Sequence, residues 1–184
     1  RVESLLGTGG MGRVYKCAQL NIQRPVALKT LKRDLMANQV HMKRFYLEAR
    51  AASRLDHPNI VRIYDYGVDE EEGIAYIAME FLKGGSLRAV LTQRKRLPER
   101  EACQLLAQVA KALVNAHEAG IIHRDLKPAN IMVSRRAEVV ILDFGVAKAD
   151  TNLYRDSESG LPLGTPRYMS PEQVTESPVG PALI

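Results

Sequence analysis

Cysteine and long apolar runs are the features that this 184-residue sequence has least of. Its two cysteines, Cys17 and Cys103, show neither metal-ligand spacing nor a disulfide framework, so we interpret both as small buried hydrophobic residues in a reducing compartment. No apolar stretch approaches the ~20 residues that a membrane span needs, and no signal-peptide pattern opens the chain. We therefore expect a cytoplasmic location and no membrane segment in this part of the protein. Because the chain begins without a methionine, we expect sequence upstream, and a longer parent protein could carry a membrane anchor.

A strong excess of one charge is also absent, because 26 Lys and Arg residues face 21 Asp and Glu residues, for a net charge of +5. The basic residues fall in short groups at 32–33, 94–96 and 135–136, which favours solvated surfaces over a track for a polyanion. We therefore predict no nucleic-acid partner. The chain is 46% hydrophobic, which is enough for a core, and its length suits one domain, or one small lobe and part of a second.

The first 83 residues are expected to form a small, mostly β lobe with one helix. Runs of β-branched and apolar residues between turn-forming residues predict strands at 14–20, 25–31, 60–66 and 74–79. Between the second and third of these strands, apolar residues recur at spacings of three to five over 39–55, which predicts the helix.

The remainder of the chain, residues 84–184, is expected to form a second, more helical unit. Ser86 is a candidate cap for a short helix ending near Leu91. A longer helix is expected from Pro98 to Gly120, and two short strands at 131–133 and 139–142. The long helix carries an apolar stripe made of Ala102, Leu105, Leu106, Val109, Leu113 and Ala116.

A glycine-rich turn between two strands occupies residues 7–12, and the second of these strands is the one predicted at 14–20. Without side chains, backbone N–H groups can approach phosphate oxygens closely, although glycines in a hairpin often form only a turn. A dinucleotide site needs a helix after such glycines, and here a strand follows, which argues against that class of site.

Lys29 lies on a strand of otherwise apolar residues, where an ammonium group is costly without an anionic partner. Glu48 on the predicted helix is a candidate partner. The ordinary alternatives are an edge-strand lysine that faces water and a surface carboxylate on a helix.

Residues 122–130 read Ile-His-Arg-Asp-Leu-Lys-Pro-Ala-Asn, and Asp143-Phe144-Gly145 begins thirteen residues after Asn130. Together with the glycine turn and the Val-Ala-Leu-Lys strand, in this order, these residues resemble the catalytic loop and metal-binding motif of Hanks-type serine/threonine protein kinases, and the Gly-Gly-Met-Gly and Ser-Pro-Glu stretches look bacterial. The resemblance runs from Leu6 to about Glu172. It implies an α+β, two-lobed kinase-like fold, in which residues 1–83 form an ATP-binding N-lobe with an antiparallel sheet and one helix, and residues 84–184 form a partial, helical C-lobe.

The same resemblance implies roles for five catalytic residues. Lys29, paired with Glu48, would hold the α- and β-phosphates of ATP. Asp125 would orient the substrate hydroxyl and accept its proton, and Lys127 would contact the γ-phosphate, as in kinases specific for serine and threonine. Thr165 would help to position the substrate hydroxyl.

The cofactors implied are ATP and Mg²⁺, with Mn²⁺ as the alternative ion. Asn130 and Asp143 would hold the metal. The residues implied in binding ATP belong to the glycine turn, the neighbouring strands, the segment that receives adenine, and one C-lobe strand. They are Leu6, Gly7, Thr8, Gly9, Gly10, Met11, Gly12, Val14, Ala27, Lys29, Met79, Glu80, Leu82 and Met132.

Proteins with serine or threonine acceptors are the implied substrates, and a kinase dimer that autophosphorylates is a candidate assembly. Arg124 beside Asp125 suggests control by a phosphate on the activation segment, for which Thr151, Ser157 and Ser159 are candidate acceptors. Ser170 replaces the alanine that is more usual in the family's Ala-Pro-Glu motif.

Related kinases continue beyond Glu172 into further buried helices, which are absent from this sequence, so we expect marginal stability and weak or absent activity of the chain alone. Four functions stay open: an active protein kinase, a nucleotide-binding fragment without transfer, a small-molecule phosphotransferase and a pseudokinase-like interaction module. The presence of Lys29, Asp125, Asn130 and Asp143 argues against the pseudokinase.

Overall fold

The computed structural model describes residues 1–144, 166–175 and 180. Two compact units make up the chain. The first comprises Arg1–Asp56 and Val61–Lys83, and the second comprises His57–Ile60 and the chain from Gly84 onward.

A five-stranded antiparallel sheet, with strand order β1-β2-β3-β5-β4, forms the centre of the first unit. The β2–β3 hairpin is the one expected from the sequence, and its register places Val14 opposite Lys29. The glycine turn between two strands implied the first strand, but its bounds were not predicted, because all its residues are exposed and its pattern does not alternate. The strands are β1 (Val2–Thr8), β2 (Gly12–Gln19), β3 (Arg24–Leu31), β4 (Ile63–Asp69) and β5 (Ile74–Glu80).

Two helices follow β3 in the first unit: the four-residue α1 (Arg33–Met36) and α2 (Gln39–Ala52). The α2 helix begins where the sequence predicted it, and Asn38 caps it by accepting a hydrogen bond from the backbone N–H of Val40 at 2.9 Å. Phe45 is 1% exposed and anchors the helix in the core. The prediction of a single helix was wrong, because α1 is too short to produce a periodic signal.

The second unit combines helices with a three-stranded sheet of order β6-β7-β8. Ser86 caps the first helix as expected, accepting from the N–H of Ala89 at 3.2 Å, and that helix continues three residues beyond Leu91. The elements are β6 (Gly85–Ser86), α3 (Leu87–Arg94), α4 (Glu99–Glu118), β7 (Ile131–Val133), β8 (Val139–Ile141) and α5 (Pro171–Val174).

The buried face of α4 differs from the predicted apolar stripe at four residues: Ala102 and Leu113 are only half-buried, Leu106 is exposed, and the fully buried Ala112 was not predicted. Leu105, Val109, Ala112 and Ala116 are at most 5% exposed and follow helical spacing, whereas Leu106 is 60% exposed. Leu106 lies about 100° around the helix from Leu105, which turns it away from the core.

The two cysteines have different surroundings, so the prediction that both are buried was wrong for one of them. Cys17 on β2 is 5% exposed, and burial raises the pKa of its thiol. Cys103 is exposed because it lies two residues before Leu105, on the opposite side of α4. Both are free thiols. Within the described ranges, no helix has the length and apolar character needed to cross a membrane.

The segment His57–Ile60 belongs to the second unit, although both flanking stretches belong to the first. The predicted strand at 60–66 was therefore wrong at its start: Ile60 forms a parallel bridge with Ile141, and β4 begins at Ile63. The amide of Asn59 donates to the carbonyl of Val139 at 2.6 Å and to Oε1 of Gln108 at 3.2 Å. Gln108 Oε1 in turn accepts from the N–H of Val139 at 2.9 Å.

Replacing Asn59 by alanine should lower the free energy of unfolding by about 1–3 kcal/mol, because the carbonyl of Val139 and the amide of Gln108 lose a partly buried hydrogen-bond donor. Urea denaturation followed by circular dichroism measures this loss. Asn21→Ala, at an exposed position, is the matched control and should unfold at the midpoint of the unmutated chain. Equal midpoints for both variants would contradict the structural role of Asn59.

Candidate active site

The glycine turn joins β1 to β2 in the first unit. The N–H of Gly9 donates to the carbonyl of Gly12 at 2.8 Å, and residues 6–10 are exposed. Gly12 is buried, and a Cβ atom there would lie 2.2 Å from the carbonyl oxygen of Thr30, so sheet packing alone demands glycine at this position. Gly7 and Gly10 have open space around them. Packing therefore does not explain why these two positions lack side chains. A turn that covers phosphates requires such positions, because backbone N–H groups must approach the phosphate oxygens closely.

Lys29 and Glu48 form an ion pair, with Lys29 Nζ 2.6 Å from Glu48 Oε1. Their side chains are only 14% and 18% exposed. The edge-strand alternative for Lys29 is wrong, because β3 is paired on both sides, with Val14 on β2 and Ile77 on β5 opposite Lys29. The structure thus brings together two charges that are 19 residues apart in the sequence.

The residues predicted to receive adenine belong to both units: most lie in the first, and Met132 lies in the second. In the first unit, Ala27 and Met79 face each other across β3 and β5, and each is 7% exposed. Glu80 ends β5, and its N–H is bonded to the carbonyl of Arg62 at 2.9 Å, so a ligand would meet Glu80 at another backbone atom. Leu82 and Val14 are half-buried, as is Met132 on β7 of the second unit, whereas Leu6, Thr8 and Gly9 are exposed and Met11 is half-buried.

Asp125, Lys127 and Asn130 form a hydrogen-bonded cluster in the second unit. Lys127 Nζ lies 2.8 Å from Asp125 Oδ2, and Asn130 Nδ2 donates to the same oxygen at 3.1 Å and to the carbonyl of Asp125 at 3.0 Å. A 3₁₀ turn at Pro128–Asn130 produces this proximity, with the N–H of Asn130 bonded to the carbonyl of Lys127. The side chains of Asp125 and Lys127 are 19% and 21% exposed, so the cluster is reached by solvent only in part.

His123 supports this cluster from the core, a role that no signal in the sequence indicated. It is 2% exposed and lies against the ring of Phe144, with centroids 4.7 Å apart. Burial lowers its pKa, which favours a neutral ring. Its Nε2 lies 2.9 Å from the carbonyl of Leu142, and its Nδ1 accepts from the N–H of Asp125 at 3.2 Å.

Asn130 and Asp143, the predicted metal ligands, both carry side-chain oxygen atoms. Because Nδ2 of Asn130 is bonded to Asp125, its amide oxygen is the atom that a cation would meet. The N–H of Leu142 donates to the carbonyl of Asn130 at 2.8 Å, which brings the residue before Asp143 to Asn130. Among the described residues, no three His, Cys, Asp or Glu side chains form a metal cluster. Two oxygen ligands, completed by water and phosphate oxygens, nevertheless fit the hard divalent ions of nucleotide enzymes.

Several predicted site residues lie outside the described residues: Thr165, Gly145 and the candidate phosphate acceptors Thr151, Ser157 and Ser159. Arg124 is half-buried and has a φ of +60°. A contact that the sequence did not predict reaches this residue, because Nε2 of Gln173 donates to the carbonyl of Arg124 at 2.7 Å.

Residues 1–183 match the protein kinase domain family, so the chain belongs to this family. Its members use ATP and a divalent metal ion to phosphorylate proteins. The chain is 45% identical over 185 residues to the serine/threonine-protein kinase pkn3 of Myxococcus xanthus, covering 96% of this chain and 34% of pkn3. It is 38% identical to PknA of Mycobacterium tuberculosis, covering 99% of this chain and 43% of PknA. The chain therefore spans less than half the length of these curated relatives.

Solved structures show the same family. The kinase domain of PknI from Mycobacterium tuberculosis matches with a TM-score of 0.74 and 29% identity, covering 97% of this chain and 64% of that one. The structure titled PpkA-294 apo form matches with a TM-score of 0.79 and 26% identity, covering 96% and 68%. The predicted bacterial-like kinase family and α+β kinase-like fold are confirmed.

Proposed function

We propose that this chain transfers the γ-phosphate of ATP to serine or threonine hydroxyls of proteins. The observation that carries the proposal is the partly buried cluster in which Lys127 and Asn130 both bond Oδ2 of Asp125. A carboxylate held in this way can receive a substrate hydroxyl in one orientation, which is the main demand of phosphoryl transfer.

Asp125 acts mainly by positioning. A carboxylate is a weak base, so Asp125 adds less by proton removal than by orienting the hydroxyl. Lys127 places a positive charge 2.8 Å from this carboxylate, where it can also offset negative charge on the transferring group.

The first unit supplies the phosphate contacts. Lys29, held by Glu48, directs an ammonium group at the α- and β-phosphates, and the backbone N–H groups of the glycine turn cover the phosphates. Glu48 fixes the direction of Lys29, since a long flexible side chain would otherwise sample many rotamers.

We propose Mg²⁺ as the metal, with Asn130 and Asp143 as its protein ligands. Magnesium favours few protein oxygens together with phosphates and water, and its charge neutralises the transferring group. ATP is the phosphate donor, so we place the reaction in the cytoplasm. Acceptors include other proteins and a second copy of this chain.

Transfer of labelled γ-phosphate tests the proposal. The full chain, incubated with Mg·ATP, should label itself and a generic basic protein, and self-labelling by a second copy should fall on dilution. Asp143→Asn, which removes one metal ligand charge, should lower the rate by about 10²-fold or more, and EDTA should abolish it. Binding of ATP without any transfer would reduce the chain to a nucleotide-binding protein. Labelling that survives EDTA would contradict the metal-dependent mechanism.

A further inference from the structure

Gln173 joins two parts of the second unit through one side-chain amide. It is the third residue of α5, and its Oε1 accepts from the N–H of Ser170 at 3.2 Å, while its own N–H donates to Ser170 Oγ at 3.4 Å. These two bonds form a capping box. The other end of the amide, Nε2, donates at 2.7 Å to the carbonyl of Arg124, which lies 49 residues away.

The peptide group between Arg124 and Asp125 is thereby held at both ends. Its carbonyl accepts from Gln173, and its N–H donates to the backbone carbonyl of His123 at 2.9 Å and to the His123 ring at 3.2 Å. A peptide group is planar, so rotating it would break these bonds together and would move the Cα atom that carries the Asp125 side chain. The carbonyl of Asp125 is bonded separately to Asn130.

Arg124 also needs such support because of its own backbone. Its φ of +60° lies in the left-handed region, which side chains other than glycine disfavour. A residue keeps this conformation only where the surrounding contacts determine it. The bond from Gln173 is a contact of this kind, and it is short.

We propose that Gln173 is a positioning residue for phosphoryl transfer, which holds the Arg124–Asp125 peptide plane and through it the Asp125 carboxylate. The catalytic part of this inference rests on the proposed function, whereas the hydrogen bond to Arg124 does not. Helix α5 then has two separable tasks: its cap stabilises the helix, and the Gln173 donor fixes the loop of Asp125.

Three variants separate these tasks. Gln173→Glu keeps the oxygen that accepts from Ser170 and replaces the donor by an anionic oxygen that repels the carbonyl of Arg124. Gln173→Met has similar length, carries no charge and removes both polar ends. Ser170→Ala removes the capping hydroxyl and leaves the donor of Gln173 in place.

The experiment compares turnover and local hydrogen exchange in the full chain. Gln173→Glu and Gln173→Met should each lower kcat on a basic protein about tenfold or more while KM for ATP stays within about twofold, and Ser170→Ala should stay within about twofold for both. Amides at 121–127 should exchange faster in the two Gln173 variants than in the unmutated chain and in Ser170→Ala, whereas α4 amides should be unchanged.

Two results would overturn the inference: unchanged exchange at 121–127 in the Gln173 variants, or an equal kcat loss in Ser170→Ala, which would assign the effect to the helix cap. If the unmutated chain transferred no phosphate, this result would contradict the proposed function and also the catalytic role inferred for Gln173. Faster exchange at 121–127 in the Gln173 variants would then still show that Gln173 holds this peptide.

Discussion

Replacing Asp125 by asparagine should reduce phosphate transfer by about 10²- to 10⁴-fold, the range that a positioned acid or base contributes. The change keeps the size of the side chain and an oxygen acceptor but removes the negative charge, so the orienting bond to the substrate hydroxyl weakens and proton acceptance is lost. Initial rates of γ-phosphate transfer to a basic protein measure the effect.

Asp56→Asn is the matched control for Asp125→Asn. Asp56 is also paired with a cation, Arg62, at 2.9 Å, but its side chain is 89% exposed, so its loss should leave the rate unchanged. Melting curves and ATP affinity for Asp125→Asn should remain close to those of the unmutated chain. A rate above half the original in a folded Asp125→Asn chain would show that this carboxylate does not act in the reaction.

Replacing Lys29 by methionine should lower kcat/KM for ATP by about 10²- to 10³-fold, comparable to the loss of one preorganised electrostatic contact. Methionine fills the same space on β3, so the sheet should persist, but the phosphates lose their ammonium partner and Glu48 loses its ion pair. Steady-state transfer rates at varied ATP concentration measure the effect.

The same sheet offers a control for this variant. Lys16 on β2 forms an ion pair with Glu3 at 2.7 Å, and both side chains are about one-third exposed. Lys16→Met also removes one charge and one ion pair, yet kcat/KM should stay within about twofold because exposed pairs contribute little. The loss of kcat/KM in Glu48→Gln should lie between those of Lys29→Met and Lys16→Met, since this variant keeps the acceptor oxygen and loses the charge. Equal losses in Lys29→Met and Lys16→Met would attribute the effect to net charge.

Local patterns predicted the elements that bury a regular face. The β2–β3 hairpin, α2 and α4 carry apolar residues at the spacing of a strand or a helix, so their positions followed from the sequence. Exposed β1 and four-residue α1 lack such a face, so the bounds of β1 were not predicted and α1 was missed. Leu106 was assigned to the core from its apolar character, but the direction of burial around a helix depends on neighbours that the sequence does not show.

The same distinction between local patterns and distant contacts holds for the candidate site. Asp125, Lys127 and Asn130 lie within six residues, so a single tight turn brings them together and the motif alone was informative. Glu48 was a candidate partner of Lys29 from the residues alone, the resemblance gave the pair its role, and the structure places the two charged groups 2.6 Å apart. Gln173 escaped notice because its contact spans 49 residues and depends on the course of the backbone rather than on any local pattern.

The segment His57–Ile60 has a consequence for the protein during its synthesis. The partner of Asn59, Val139, is 80 residues further along the chain, and Ile60 pairs with Ile141. At a translation rate of about 5–20 residues per second, Asn59 and Ile60 wait roughly 4–16 s for these partners. During this interval Ile60 and the Asn59 amide lack these two partners, while they lie in the sequence between two stretches of the first unit.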